Sequence, residues 1–483
     1  MQSDLTTVVA AADRTLREMA RLRRTLRGEL VLPADPGFEQ SRRVWNGLVD
    51  KRPAAIAYCT GAADVVAALS FARENGMPIS VRSGGHNVAG NCLCEGGLVI
   101  DLSRMKNRAV DDRKRLIWAE AGLTLAEFDR STQACGLATT MGVNGDTGIA
   151  GLTLGGGFGK LGRRYGLACD NLLSAEVVTA DGRVLRASAD ENPDLFWGLR
   201  GGGGNFGIVT SFEYQLHRIG TEVFAGSVTF PETEARDALK FHDEFARAAS
   251  DELSFDAALF TTAGERFFSV SIFHSGSPER VDELVAPLLA FAEGKAVSQQ
   301  LARVPYLHVQ SAGDAIFPRG RRYSWKAQFM RELTGDAIDA LLNAYRKAPN
   351  DNALLVLQQV GGAISRVPLS ETAYACRDAE YDCFPIAIWD DPARDEENMG
   401  WVRDVWAAVR PFSTGAVYVN NLGDEGQQRV KAAYGPNYER LVALKNKYDP
   451  DNVFCQNQNI RPTEGDEAAN ARGEREAGRR LAE

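Results

Sequence analysis

Ten of the 25 residues from Gly142 to Gly166 are glycine: G-V-N-G-D-T-G-I-A-G-L-T-L-G-G-G-F-G-K-L-G-R-R-Y-G. Each glycine in a helix or strand costs backbone entropy, so this stretch predicts neither element. Instead it lets backbone amides come close to a ligand. Clustered N–H groups of this kind suit a phosphate or pyrophosphate. The alternative is a mobile linker, against which Ile149, Leu152, Leu154 and Phe158 interleave with the glycines and call for burial.

A second window has the same character. In P-I-S-V-R-S-G-G-H-N-V-A-G (78–90), Ile79–Arg82 reads as a short strand. Gly84 and Gly85 let the chain bend and approach something closely. His86 follows, the only histidine in the first 200 residues. Flanked by glycines and Asn87, its imidazole is expected to be reachable. A loop histidine with an ordinary hydrogen bond is the plainer reading.

Two windows match the dinucleotide fingerprint G-x-G-x-x-G, at Gly157–Gly162 and Gly202–Gly207. Around the second, P-D-L-F-W-G-L-R reads as a helix and I-V-T-S-F-E-Y-Q-L as a strand. A nicotinamide-nucleotide fold needs strand, glycines, then helix, so the order is reversed. A P-loop fails because Leu161 follows Lys160.

The wider sequence sets bounds. A net charge of -9 with no lysine- or arginine-dense block argues against nucleic-acid binding. No apolar run reaches a membrane span, no secretory signal opens the chain, and Arg23-Arg24 lacks the apolar stretch of an export signal. Cys92 and Cys94 have no second pair at zinc spacing, so no metal is expected; the eight scattered cysteines read as reduced thiols in a cytoplasmic protein.

Taken in order, residues 1–48 comprise an amphipathic helix, with Ala12, Leu16, Met19, Leu22 and Leu26 on one face, and a linker at Pro33–Gly37. The helix suits docking or an interface, with a membrane surface as the alternative. Residues 49–219 alternate short strands with helices, including a helix over Asp64–Asn75 closed by Gly76 and one capped by Thr124. Residues 220–416 show hairpin logic. Strands are expected at Phe224–Phe230, Phe255–Thr261, Phe267–Phe273, Trp325–Arg331, Leu354–Val360 and Cys383–Trp389, with helices at Glu232–Ala249, Ser277–Glu293, Gly335–Lys347 and Glu396–Val409. This is an α+β pattern, a mostly antiparallel sheet flanked by helices. Residues 417–462 form the last ordered segment. Residues 463–483 read as a disordered tail or a solvated helix.

R-S-G-G-H-N-V-A-G (82–90), T-G-I-A-G-L-T-L-G-G-G-F-G (147–159), Y-G-L-A-C-D-N (165–171), L-F-W-G-L-R-G-G-G-G-N-F-G-I-V-T (195–210) and Y-D-P-D-N-V-F-C-Q-N-Q-N-I (448–460) together resemble the FAD-linked oxidases. Within them the chain is most similar to the berberine-bridge-enzyme-like branch of the p-cresol-methylhydroxylase (PCMH)/vanillyl-alcohol-oxidase superfamily. The resemblance implies a two-lobed PCMH-type FAD-binding domain, built from residues 49–219 plus 417–462, with a substrate domain between. It places FAD against Arg82, Ser83, Gly84, Gly85, His86 and Asn87; against Gly142, Asn144, Thr147, Gly148, Gly151, Leu152, Gly156 and Gly157; and against Gly207, Ile208, Val209, Asn457 and Asn459. It also implies a covalent bond from His86 to the flavin 8α methyl. The two asparagines equally suit capping of local turns. Relatives with a second link carry a cysteine in G-V-C-P-T-V. Asn144 stands at that position here, so FAD is expected to be covalent through His86 only.

The implied reaction is hydride transfer from a C–OH or C–N carbon of a small molecule, with molecular oxygen as acceptor. Tyr418 is the first candidate for receiving the adjoining proton, with a core tyrosine as the alternative reading. Asn420 is expected to point the same way two residues along a strand, and Tyr381 and Gln358 to line the pocket. A nicotinamide-dependent dehydrogenase and a non-catalytic flavin binder are the rival functions. Sugar, hydroxynicotine-like alkaloid, polyketide and aromatic alcohol stay open as substrates, as do oxidase versus dehydrogenase and the oligomeric state.

Overall fold

A computed structural model of the chain describes residues 17–463. Ala12, Leu16 and the tail beyond residue 463 lie outside the described residues. Residues 17–25 are helical, and Met19, Leu22 and Leu26 are buried in the largest apolar core. The apolar stripe therefore docks on this chain's own core.

The first lobe is a four-stranded sheet in the order Glu29–Val31, Ala55–Tyr58, Leu98–Asp101, Ile79–Arg82. The last three strands run parallel, and the helix Ala62–Glu74 makes the crossover. Leu98–Asp101 is buried throughout, as a strand covered on both faces must be. The second lobe is an antiparallel five-stranded sheet, ordered Arg108–Asp111, Leu116–Glu120, Ile208–Gln215, Leu172–Val178, Val184–Ser188. Thr124 caps the helix Leu125–Gln133 in a reciprocal box with Glu127. Helix Pro193–Leu199 precedes the second fingerprint and strand Ile208–Gln215 follows it, the reversed order read from the sequence.

The third sheet has eight strands and a mostly antiparallel meander: Ser298–Pro305, Glu222–Pro231, Glu265–His274, Leu253–Thr262, Leu354–Gln359, Tyr381–Trp389 and Arg322–Trp325 in spatial order, with Gln328–Met330 also pairing on Tyr381–Trp389. The single strand expected over Trp325–Arg331 is thus two, broken at Lys326–Ala327. Side-chain alternation gives this sheet two faces. Leu355, Leu357, Tyr381, Cys383 and Ala387 pack with helices Ala235–Ala248, Gly335–Tyr345 and Asp395–Val409. Val356, Phe384, Ile386, Ile388 and Trp325 turn the other way, toward Trp45 of the first lobe. The sheet roofs the two lobes.

The C-terminal segment returns beneath the roof. Tyr438, Leu441, Leu444, Phe454 and Ile460 share one core with Leu195, Phe206 and Ile208. Lys445, fully buried, clasps this junction: its ammonium donates to the carbonyls of Asn205 (3.0 Å) and Phe454 (2.9 Å) and to the Asp449 carboxylate (2.7 Å).

The glycine-dense stretch corrects one expectation. Ile149–Leu154 and Gly162–Tyr165 are short helices. Ile149, Ala150, Thr153 and Leu154 are buried on one side, while Gly151 leaves the opposite side open. Packing of the apolar residues outweighs the glycine penalty.

Candidate functional site

A cavity of about 370 Å³ runs between the lobes and under the roof. Four separate segments supply most of its wall. Ser83, Gly84, Gly85, His86 and Asn87 come from the loop after Ile79–Arg82; Thr147, Gly148, Gly151 and Leu152 from the glycine stretch; Gly207, Ile208 and Val209 from the second fingerprint; and Tyr418, Asn420 and Asn457 from the C-terminal segment. All were singled out from the sequence.

The first two segments touch backbone to backbone. A β-carbon on Gly84 would lie 2.2 Å from the Gly148 nitrogen, and one on Gly148 would lie 2.4 Å from the Gly84 nitrogen. Only glycine allows this contact. Among the described residues, no protein acceptor takes the amide protons of Gly84, Gly85 and His86. The Oδ1 of Asn457, on the same wall, is buried without a partner. Unspent amides in a glycine cradle and an orphaned amide oxygen fit a large, polar, phosphate-bearing group.

His86 is less open than its glycines suggest. Its side chain is 12% exposed, one ring face stacks on Trp45 at 4.4 Å, and Nε2 lies 2.7 Å from Oδ1 of Asp146. Burial lowers its pKa, with Asp146 opposing. Trp45 stacks in turn on Tyr323 at 3.9 Å, so an aromatic column joins the histidine loop to the roof. Trp45 also donates from Nε1 to the Phe317 carbonyl (3.0 Å).

Tyr418 sits in the wall with its oxygen doubly bonded. The Gly157 amide donates to it at 2.9 Å and Asn420 Nδ2 at 2.8 Å. Burial raises its pKa, and the two N–H donors oppose the rise. Asn420 does not continue a strand: Val419–Asn421 is a 3-10 turn, and that turn folds its amide back onto Tyr418.

Several expected residues lie elsewhere. Tyr381 is buried in the core of the roof domain, on the face turned toward the helices, 5.7 Å from the His242 ring. It pairs in register with Gln359, whereas Gln358 sits opposite Asp382 on the other face; Gln358 does not reach the wall either. Arg82 turns away to pair with Asp101. Gly142 packs under Leu125 and Leu152. Asn144 faces Gly313 of the roof domain, not the cavity. Gly156 and Gly157 hold left-handed backbone (φ +127° and +91°) behind the wall, against Tyr374 and Ala168. Asn459 is outside the lining, its Oδ1 buried without a partner.

The sequence reading missed other wall residues: Cys92, Asn205, Trp325, Asn421, Tyr434 and Gln458. Asn205 lay in plain view between the glycines of the second fingerprint. It donates to the Gly202 carbonyl (2.9 Å) and accepts from the Ile460 amide (3.0 Å), tying the fingerprint to the C-terminal segment. Asn421 reaches a fully buried carboxyl, donating to Asp382 Oδ2 at 2.7 Å. Asp382 Oδ1 has no partner, and burial pushes this acid up to about 7. Burial likewise raises the Cys92 thiol. Among the described residues no cluster of histidine, cysteine and carboxylate side chains could hold a metal ion, and no helix is long and apolar enough to cross a membrane.

Comparison with known proteins fits this geometry. Residues 53–188 match the FAD binding domain family, and residues 417–461 match the family described as berberine and berberine like. An FAD-linked oxidoreductase of Dictyostelium discoideum is 31% identical, over 86% of this chain and 91% of its own length. The chain belongs to the FAD-linked oxidoreductases of the berberine-bridge-enzyme-like family. The (R)-6-hydroxynicotine oxidase of Paenarthrobacter nicotinovorans, another member, is 31% identical over 91% of this chain and 97% of its own. The crystal structure of 6-hydroxy-D-nicotine oxidase from Arthrobacter nicotinovorans superposes with a TM-score of 0.84, covering 90% of this chain and 98% of that one at 30% identity. A variant of berberine bridge enzyme itself, described as a reticuline dehydrogenase, shares the fold at a TM-score of 0.84 and 22% identity, covering 92% of this chain and 99% of that one. This protein is therefore an FAD-dependent oxidoreductase. That assignment removes the nicotinamide alternative.

Proposed function

We propose that this enzyme oxidises a C–OH or C–N bond of a small molecule on a flavin joined covalently to His86 alone. The observation that carries the reading is that His86 and Tyr418, from opposite ends of the chain, wall the same cavity. FAD bound here would supply the hydride acceptor, with molecular oxygen as the terminal acceptor and hydrogen peroxide as the product. Gly84, Gly85 and His86 amides would hold its phosphates, and Asn205 and Asn457 its edge. Tyr418, in its phenolate form, binds the substrate OH or NH beside the reacting carbon and receives its proton. The Gly157 and Asn420 donors stabilise the negative charge of that phenolate oxygen. Asp382, beyond Asn421, is a second proton acceptor, favoured by its orphaned oxygen. Asn144 supports the single link, since it has no thiol and faces away from the cavity. The eight cysteines are unpaired, which suits a reducing compartment, and we place the enzyme in the cytoplasm.

The test begins with acid denaturation of the purified protein. Yellow colour that stays with the polypeptide, and leaves it in His86→Ala, supports the covalent reading. Colour released from the wild type refutes it. Peroxide released with secondary alcohols or cyclic amines then identifies the substrate class, and the absence of peroxide alongside reduction of an artificial dye points to a dehydrogenase.

A further inference from the structure

His86 is held by more than its own loop. Nε2 lies 2.7 Å from Asp146 Oδ1. The other oxygen of Asp146 receives Arg319 Nε at 2.6 Å, and Arg319 Nη2 donates to the carbonyls of Gly84 (2.6 Å) and Asp146 (3.2 Å). Arg319 belongs to the roof domain, so the roof fixes the carboxylate and the histidine loop together. The Trp45 ring fixes the imidazole plane.

These contacts determine which ring nitrogen carries hydrogen. Hydrogen bonds and charges from His86 and Arg319 hold Asp146 below the usual carboxylate range despite burial, so it is ionised. A carboxylate only accepts, and the nitrogen facing it must therefore be N–H. Nε2 is protonated and Nδ1 keeps the lone pair. Among the described residues Nδ1 has no hydrogen-bond partner, and His86 lines the cavity.

We propose that Asp146, braced by Arg319, is a positioning residue that sets the His86 tautomer and makes Nδ1 the nitrogen that joins the flavin. This rests on the covalent reading above. The new bond runs from Nδ1 to the 8α carbon. One hydrogen leaves that carbon and one leaves Nε2; with two electrons they leave the flavin two-electron reduced, and dioxygen removes both pairs as hydrogen peroxide. While Nε2 still holds its proton the ring is cationic, and Asp146 offsets that charge at hydrogen-bond distance.

Asp146→Asn reverses the pattern. Arg319 Nε claims the amide oxygen, which turns the NH₂ group toward Nε2. Nε2 must then accept, and the hydrogen moves to Nδ1. The measurement is the fraction of flavin that stays with the polypeptide after acid precipitation of the FAD-loaded protein, beside total flavin per chain. We expect total flavin near wild type and a covalent fraction lower by at least about tenfold, since losing an orienting partner costs about 10- to 10⁴-fold elsewhere. Full covalent attachment in Asp146→Asn overturns the proposal. The wild type gives an independent reading. Its flavin-bearing peptide, labelled with ¹⁵N-histidine, should show the link at Nδ1 by NMR, and a link at Nε2 overturns the proposal however the variant folds. Flavin that leaves the wild type altogether overturns the covalent reading itself.

Discussion

The phenol oxygen of Tyr418 lies 2.9 Å from the amide nitrogen of Gly157, a residue 261 positions away in the chain. Gly157 holds a φ of +91°, and a β-carbon there would lie 2.4 Å from that of Ala168. The glycine is thus required for the contact as well as for the turn. With Asn420 Nδ2 as second donor, two N–H groups hold the oxygen as they would an oxyanion and oppose the rise that burial gives its pKa.

Tyr418→Phe removes that oxygen and strands both donors. Flavin reduction by substrate should slow by about 10²- to 10⁴-fold, the usual contribution of a positioned acid or base. Covalent flavin content should stay at the wild-type level, because Tyr418 and His86 hold different parts of the wall. Stopped-flow bleaching of the flavin measures the rate. A rate within twofold of wild type refutes Tyr418 as the proton acceptor.

Lys445 joins the C-terminal segment to the second fingerprint with three hydrogen bonds and no exposure. Lys445→Met leaves Asp449 as a buried charge without its cation, which costs about 3–5 kcal/mol. Asn205 and Phe454, both held by this clasp, line the cavity proposed to hold the flavin. The variant should therefore unfold at a lower temperature and carry less flavin per chain. Differential scanning calorimetry and the flavin-to-protein absorbance ratio check the two parts separately.

Local signals in the sequence carried the fold a long way. Ile79–Arg82 forms as the strand expected, and Thr124 caps its helix. Strand Ala55–Tyr58 and edge strand Ser298–Pro305 escaped, the first too short to show alternation and the second mostly exposed and without an apolar face. At the site, glycines and His86 were visible because their types are unusual where they stand. Arg319 and Trp45 were not, because their roles come from packing across 173 or more residues and from ring stacking that no local pattern encodes. Asp146 lay inside the very stretch that departs from G-V-C-P-T-V, so the departure marked the place without revealing the role. Tyr381 failed for a simpler reason: in a strand, one residue of register chooses the face.

Asp382 predicts a pH profile. Burial pushes its carboxyl up to about 7, and only its ionised form accepts a proton. The rate of flavin reduction should rise through pH 7, and Asp382→Asn should flatten that rise while lowering the alkaline plateau. Stopped-flow rates from about pH 5.5 to about 8.5, spanning roughly 1.5 pH units on either side of that midpoint, give the profile. An unchanged profile in the variant removes Asp382 from the proton path.

Asp129 predicts a stability effect of the same origin but away from the cavity. It is fully buried on helix Leu125–Gln133, its carboxyl bonded among the described residues only by Gln310 Nε2 (3.0 Å) from the roof domain, and burial pushes it up to about 7. Its carboxyl is raised in the folded state, so the native protein holds a proton that the unfolded chain gives up near pH 4. The stability linked to that proton is fully present below about pH 4 and is lost as pH rises through about 7. Between about pH 5 and about pH 8 the wild type should lose about 3 kcal/mol through this group, at about 1.4 kcal/mol for each pH unit over which only the folded state holds the proton. Asp129→Asn keeps the bond to Gln310 without the titration. Its melting temperature should fall less than that of the wild type over the same range, by a few degrees, while flavin content and substrate oxidation at neutral pH are unchanged. Equal falls in the two proteins would mean that Asp129 is ionised in the fold, and that its carboxyl and Gln310 form an ordinary charged hydrogen bond between helix and roof.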